Sequence, residues 1–545
     1  MVSSFHGLET ARRALSIQRS VLHTTAHNIA NASTPGYSRQ RVSLKTSEPY
    51  PGAGLNRPHI PGQIGTGVEA GTVERIRESY LDIQFRMEHT KLGYYESLSA
   101  ALAKMEDIMN EPSDSGLQTV MNQFWNALQD LANHPENLGA RQVAASRGEM
   151  VADTFNYYYN SLERIKRDLG SEIDVTVKRI NDIIKQIHDI NMQIAKVEPH
   201  GLSPNDLYDE RDLLVDELSK YVNVRVNAII PEQYGLPVTS AVGLYEIEII
   251  RSDGSSYGDG AKLLSVDGGN GSMTVQTLIV TGDNDEDAPL EGNVRTIRVG
   301  EFAIEDLGFS GELAGLIESY GYVSGQAEDG RDIVEGYFPE MMEKLNKLAF
   351  AFVSEFNYIH SQGYDLNGES GEAFFELGEE ASYEYNPDLP YAQLIRMNYD
   401  IIQDPAKIAA ASESEDSAGD NTNAFRLANI KAKDFRDYEF IKPGEEGGSG
   451  GTLPGDMTGS FDYYYAAMIG DLGVDAQSAV RNRDNARVLV DSVEFNRQSV
   501  SGVSLDEEMT NMIMFQHAYN ASARMITVID EMLDRIINGM GITGR

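Results

Sequence analysis

Cysteine is absent from all 545 residues. That excludes disulfides, cysteine-ligated zinc and thiol catalysis together. Also missing is any apolar run near the roughly 18 residues that a membrane-crossing helix needs. The opening residues, Met1-Val-Ser-Ser-Phe-His-Gly, lack the apolar core of a secretory signal, so composition alone suggests the cytoplasm. Positive charge is scarce: 45 Lys and Arg stand against 84 Asp and Glu, a formal charge of −39. Neither nucleic acid nor membrane is expected as a partner, since phosphate binding needs a basic surface. The same charge suits a protein that stays soluble at high local concentration.

Catalytic and metal-binding patterns are missing too. Gly447-Gly-Ser-Gly-Gly451 has the spacing of a nucleophile elbow, but Lys442-Pro-Gly-Glu-Glu precedes it and Thr452-Leu-Pro-Gly follows. The motif needs an apolar strand before it and a helix after it, so a loop is the reading. In Tyr364-Asp-Leu-Asn-Gly368 the glycine falls at position four from Asp365, where a calcium loop needs it at position six. Asp283-Asn-Asp-Glu-Asp287 reads as a solvated turn, and Gly258-Asp-Gly-Ala-Lys262 lacks phosphate-loop spacing. The ten histidines form no His-Glu-x-x-His pair, and His188 and His517 fall on predicted helices as surface or packing residues. No cofactor, metal or enzymatic activity is expected.

What the chain does have is a matching apolar stripe at each end. Leu8, Leu15, Leu22 and Ile29 fall seven apart. Leu505, Met512, Tyr519, Ile526 and Leu533 also fall seven apart, with Met509, Ala523 and Ile537 among them. Such a repeat makes a narrow seam that pairs with another helix. Two seams predict that the chain leaves and returns through one paired-helix stalk, with everything between as a long insertion.

The insertion is too long for one core, and three or four domains are expected. The first helix is predicted from about Ser3 to Ala30. It stops at Asn31-Ala-Ser-Thr-Pro-Gly-Tyr, where Pro35 bars a helical Thr34 and Gly36 permits a left-handed turn. Residues 37–75 read as extended, with short strands. Helix resumes at Glu78 and breaks between Pro112 and Gly116. It continues through Trp125, then runs uninterrupted from about Leu138 to Val197, with Ile173, Ile180, Ile187 and Ile194 seven apart. That last run is roughly 90 Å of rod. A short amphipathic helix follows over 205–218. From about Val222 four strands are read, including one over 273–280, with Gly, Asp, Ser and Asn turns between them. Helix returns over about 311–357, an irregular acidic region covers 362–460, and two helices broken near Ser501-Gly502 finish the chain. Ser504-Leu-Asp-Glu507 reads as a capping box.

Charge divides along the same lines. Residues 1–60 hold seven basic side chains against two acids, and residues 361–460 hold 20 acids against seven bases. The predicted fold class is α+β multidomain: a long-helix coiled bundle of paired N- and C-terminal segments with inserted antiparallel β-rich domains. The expected division is 1–65 with 500–545 as the stalk and 66–221 with 311–361 and 461–499 as a helical bundle. Residues 222–310 form an inserted β-rich domain, and 362–460 a second, acidic, irregular or β insertion.

Asn28-Ile-Ala-Asn31 followed by Thr34-Pro-Gly-Tyr37-Ser-Arg-Gln40 resembles the signature shared by rod, hook and hook-associated subunits of the bacterial flagellum. Val500-Ser-Gly-Val-Ser-Leu-Asp-Glu-Glu508 with Phe515-Gln-His-Ala-Tyr-Asn-Ala521, residues 205–218, Gly311-Glu-Leu-Ala-Gly-Leu316 and residues 357–375 are similar to the hook-associated protein 1 family, junction proteins between hook and filament. The resemblance covers about 1–230, 310–376 and 400–545. The long helices of 78–230 speak against ordinary hook protein, which the resemblance implies is mostly β outside its ends.

The resemblance implies a structural subunit that forms a junction ring by self-assembly of its terminal helices. It implies four partners: further copies of itself, the hook protein, the next hook-associated junction protein, and an export chaperone at the C-terminal helix. It also implies an extracellular location on the flagellum, reached through the flagellar type III channel without a cleaved signal. Alternatives at this stage are another axial subunit (flagellin or hook protein), an axial protein whose outer domains act as an adhesin, and a wall hydrolase on an axial scaffold. Terminal helices without a core of their own should be largely disordered before assembly, and head-to-tail contacts between copies close a ring. The turn at Pro35-Gly36 is expected to set the angle between stalk and outer domains. The seams predict that Leu15→Asp or Ile526→Asp abolishes incorporation into the tube while the middle of the chain stays folded. Equal loss of thermal stability throughout the chain would overturn that.

Overall fold

The computed structural model describes residues 4–51, 62–109, 116–235, 240–284, 288–327, 330–378, 383–414, 418–442, 450–455 and 457–539. Most of the Gly447–Gly451 run and of the acidic run at 283–287 lies outside them. Helix α1 (Ser4–Ala30) pairs with the final helix α12 (Leu505–Gly539). Gly7 faces Ile529 at one end and Asn28 reaches Glu508 at the other, so the pair is antiparallel. An antiparallel hairpin, β1 (Gln40–Thr46) and β2 (Val68–Arg75), lies along α1. Ile17, Val21 and Val42 form a small apolar cluster there, with Val68, Val73 and Phe515 against it. This is the stalk.

The bundle begins with α2 (Ser79–Met109), α3 (Leu117–Asn133), α4 (Leu138–Val197) and α5 (Asn205–Tyr221). Helix α4 is the 60-residue rod that the uninterrupted heptads predict. The Asn137 side chain caps its N-terminus by accepting from the Gly139 amide at 2.8 Å. Ile173, Ile180, Ile187 and Ile194 are wholly buried along it. Helix α11 (Phe461–Ser501) runs antiparallel to α2, burying Phe85 and Leu92 against Ala486, Val490 and Val493.

The β region after α5 is antiparallel, as its turn-separated strands predict. One sheet joins β3 (Val224–Ile229), β4 (Leu244–Ile249), β5 (Lys262–Val266) and β6 (Met273–Val275) in that order. A second joins β7 (Leu278–Thr281), β8 (Thr296–Val299) and β9 (Phe302–Ile304). The strand expected over 273–280 is therefore two strands in two sheets. The side chain of Asn181 on α4 explains the break. It accepts from the Leu278 amide and donates to the Leu278 carbonyl, both at 2.8 Å, so it replaces a neighbouring strand at that point.

The single helix expected over 311–357 is also divided. Helix α6 (Glu312–Tyr320) and helix α7 (Tyr337–Ser361) flank a hairpin, β10 (Tyr322–Gln326) with β11 (Asp332–Glu335). Gly321 ends α6 at φ 112°, a conformation that side-chain-bearing residues rarely adopt.

Residues 362–460 are irregular, as composition suggests, yet they join the main apolar core. They contain β12 (Phe375–Glu376), α8 (Tyr391–Leu394), β13 (Arg396–Met397), α9 (Tyr399–Gln403) and α10 (Thr422–Asn429). Phe374, Phe375, Ile408, Tyr438 and Phe440 pack into the same cluster as Trp125 and Phe352. Polar pins hold the loops, because buried backbone groups need partners. Arg141 of α4 donates to the carbonyls of Pro135, Ala406 and Ile408. Buried Glu355 of α7 accepts from the amides of Glu439 and Phe440 and from Lys433. His360, also on α7, accepts the Ala409 amide at Nε2, which leaves Nδ1 to donate to the Glu372 carbonyl at 2.6 Å.

Burial pushes the His360 imidazole down to about 4, although the Glu372 carbonyl favours its charged form. An unfolded histidine titrates near 6.5, so between those values the unfolded chain binds the extra proton. Stability from this residue is complete above pH 6.5 and is lost as pH falls toward 4. Urea unfolding is expected to lose roughly 2 kcal/mol between pH 6.5 and 5 that a His360→Gln variant does not lose.

Candidate assembly stalk

The signature turn is built around one side-chain amide. Asn28, on the last turn of α1, is 1% exposed. Its Nδ2 donates to the Gln40 carbonyl at 2.9 Å and to Glu508 Oε2 at 3.1 Å. Its Oδ1 accepts from the Tyr37 hydroxyl at 2.8 Å and from the Gln40 amide at 3.0 Å. One amide thus ties α1 to the start of β1 and to the start of α12, using the full donor and acceptor set of the group. Burial, with the carboxylates of Asp206, Asp209 and Glu508 nearby, pushes the Tyr37 hydroxyl well above its usual value and keeps it a donor.

Asn31 and Thr34 make the turn itself. The Asn31 Nδ2 donates to the His27 carbonyl, the Thr34 hydroxyl donates to Asn31 Oδ1, and the Tyr37 amide donates to the Thr34 carbonyl. Pro35 is exposed. Gly36 has φ 75°, and a Cβ there would lie 3.2 Å from Leu213 on α5, so the turn is also pressed onto the bundle. Arg39 then crosses to α12. Its guanidinium donates to Glu508 at 2.7 Å and to both oxygens of Glu507, and its amide donates to the Ser501 carbonyl at 2.9 Å.

The apolar positions divide unevenly. On α1 the fully buried residues are Ala11, Ile17, Val21, Thr25 and Asn28. Leu8, Leu15, Leu22 and Ile29 lie half-buried on the flank. On α12, Met512, Tyr519, Ala523, Ile526 and Leu533 are half-buried, whereas Leu505, Met509 and Ile537 are exposed. Half-buried Phe515 and Ile529, absent from the predicted seam, face α1. The heptad positions thus lie beside the buried line of the pair and not along it. The heptad reading also missed a second stripe on α12. Met514, Ala518, Ala521, Met525, Val528 and Met532 repeat at intervals of four and three. Met514, Met525, Val528 and Met532 are 47–58% exposed. That spacing is legible in the chain; its solvent exposure is not.

Among the described residues no group of three or more His, Cys, Asp or Glu could hold a metal ion, and no helix is long and apolar enough to cross a membrane. The former calcium-loop candidate is a structural turn, in which Asp365 accepts from the Asn367 and Glu369 amides.

Paired terminal helices around a folded middle, joined by the Asn28–Gln40 turn, define an axial structural subunit. The sequence profile of the flagellar hook-associated protein FlgK helical domain matches residues 102–375. Profiles of the flagella basal body rod protein and of the flagellar basal body rod FlgEFG protein C-terminal region match residues 8–37 and 496–539. The chain is 42% identical to flagellar hook-associated protein 1 of Bacillus subtilis over the whole of both chains. It is 24% identical to that of Escherichia coli over 97% of this chain and 99% of the other. A solved structure of the flagellar hook junction protein FlgK from Burkholderia pseudomallei shares the fold, with a TM-score of 0.56 at 14% identity, over 77% of this chain and all of that one. The chain belongs to the flagellar hook-associated protein 1 family. It is a structural component of the external flagellum at the hook–filament junction, working with other flagellar components, and not an enzyme.

The amide cluster generates a test. Asn28→Leu keeps much of the side-chain volume but removes all four bonds, including the acceptor of the Gln40 amide. Leaving buried acceptors unpaired costs about 1–3 kcal/mol, more for charged groups. Amide exchange at Gln40 is expected to accelerate roughly tenfold or more, while α4 stays protected. Unchanged exchange at Gln40 would show that Asn28 does not hold the turn.

Proposed function

We propose that copies of this chain close a ring between hook and filament by burying, in contacts with neighbouring copies, the apolar surface that the stalk leaves open. The observation that carries the reading is the exposed stripe Met514, Met525, Val528 and Met532 beside the α1-facing side of α12. A two-helix pair has one mutual seam, so a second apolar stripe on one member stays wet unless another chain covers it. The half-buried flank of Leu8, Leu15, Leu22 and Ile29 adds further surface of the same kind. Contacts between unlike faces are heterologous, and heterologous contacts close rings when the rotation permits.

In this reading residues 1–65 and 500–545 form the assembly stalk, the helical segments 66–221, 311–361 and 461–499 form the wall, and 222–310 and 362–460 face outward. The signature turn, Asn28, Asn31, Thr34, Pro35, Gly36 and Tyr37, sets the stalk on the wall. The partners are further copies of the chain, the hook protein and the next hook-associated junction protein. An export chaperone covers the C-terminal helix before assembly, and export proceeds through the type III channel without a cleaved signal.

Met525→Asp and Met532→Asp test this reading, because both side chains face solvent in the single chain. The monomer's unfolding free energy is expected to change by no more than about 0.5 kcal/mol. Binding to the distal end of purified hooks, counted by electron microscopy, is expected to be lost. Normal incorporation of both variants would sink the proposal.

A further inference from the structure

Helices α2 and α11 form an antiparallel pair whose inner faces meet at Phe85, Ala486, Val490 and Val493. Both outer faces carry exposed apolar side chains. On α2, Tyr80, Ile83 and Met87 are 52–70% exposed. On α11, Val474, Arg481, Val488 and Phe495 fall seven apart, and the three apolar members are 65–73% exposed. A helix turns about 100° per residue, which sets Tyr80, Ile83 and Met87 within about 40° of the side opposite Phe85. By the same rule Val488 and Phe495 lie opposite Ala486, Val490 and Val493. The two outer faces therefore point away from each other.

They also share one level along the pair. The Arg497 guanidinium sits over the Phe85 ring at 4.1 Å, and Arg487 donates to Glu96 at 2.8 Å. That register puts Phe495 level with Ile83–Met87, across the thickness of the pair. Tyr80, Ile83, Gln84 and Met87 stand at i, i+3, i+4 and i+7, the corners of a hole in knobs-into-holes packing. Phe495, the most exposed of these side chains, is a matching knob. Within one chain, knob and hole face opposite ways and do not meet.

We propose that Phe495 of each copy seats among Tyr80, Ile83, Gln84 and Met87 of its neighbour, so that α11 of one wall lies against α2 of the next. The inference rests on the ring reading and names the contact by which its walls meet. A second copy is the occupant because the two faces are unlike, opposed and level. Rotation about the axis of a ring changes no height, so it carries one face onto the other, and the contact is heterologous. A foreign partner would need two different surfaces to cover two opposed faces, whereas a closed ring of this chain covers both faces of every copy. Val488 and Val474 continue the row along α11. The contact lies outside the terminal helices and does not depend on their state before assembly.

The chain has no cysteine, so Ile83→Cys with Phe495→Cys places one thiol on each face. Both side chains face solvent in the single chain, and substitutions at such sites leave the fold nearly unchanged. The full-length double variant is added to purified hooks and the junctions are oxidised. A ladder of covalent multimers on a non-reducing gel is expected, reversed by dithiothreitol and absent from either single variant, because a disulfide needs the two backbones close together. Chains seen at hook tips by electron microscopy that stay monomeric on the gel overturn the contact and leave the ring reading standing. Should the paired cysteines block incorporation, Ile83→Lys with Phe495→Glu decides. Each alone is expected to lower hook-tip occupancy about tenfold, and the two together to restore it to within about twofold. No restoration overturns the proposal. The ring reading fails by a different result, normal incorporation of Met525→Asp and Met532→Asp.

Discussion

Asp212 is almost wholly buried, with the guanidiniums of Arg75, Arg77 and Arg86 around it and the Tyr245 hydroxyl donating to its other oxygen at 2.8 Å. Burial pushes its carboxyl upward, but the charges of Arg77, Arg75 and Arg86 outweigh that and hold it well below the ordinary carboxylate range. One turn earlier Asp209 shows the opposite balance: burial lifts its carboxyl although Arg75 touches it. A buried charge without a partner is among the costliest arrangements a fold can contain. The fold therefore requires that β2, α2, α11 and β4 all arrive at α5 together. The orientation of the stalk, the bundle and the first β sheet all pass through this one short helix.

The bundle and the stalk solve their packing differently. In the bundle, α4 is surrounded by α3, α5, α6 and α7, and its Ile173, Ile180, Ile187 and Ile194 lose all contact with water. In the stalk only α1, α12 and one hairpin are available, so only a few side chains are buried, and Ile17, Val21 and Val42 keep some exposure. The difference is geometric. A helix enclosed by neighbours can bury every apolar face, whereas a helix with one partner buries a single stripe. The apolar surface left on α12 follows from that count, and an assembly protein has a use for it.

Much of this was legible in the chain. The seven-residue spacing of Ile173, Ile180, Ile187 and Ile194 marked α4, because a long rod must keep one face inward throughout. The turn at Asn31–Tyr37 was marked by Pro35 and Gly36, whose backbone limits act locally. Elsewhere local signals misled. Gly321 ends a helix within a stretch of otherwise helical composition, since the hairpin that follows is held by pairing between β10 and β11 and not by propensity. The break between β6 and β7 depends on Asn181, almost a hundred residues away. The acidic region 362–460 reads in sequence as an irregular or β insertion. Its polar pins to Arg141, Glu355 and His360 depend on partners that no local pattern ties together.

The sequence alone determined most of the long helices, the pairing of the two ends, the absence of cysteine, and the family signature that the turn carries. Those features follow from periodicity and residue type within a short window. Only the tertiary structure decided which stripe of α12 meets α1 and which stays exposed. Only it showed that Asn28 closes the turn with all four of its hydrogen bonds, and that four arginines meet three aspartates of α5 and Asp82 of α2. Such outcomes depend on side chains far apart in the chain sharing one small volume. Their energies arise from burial and from partner geometry, neither of which exists until the chain has folded.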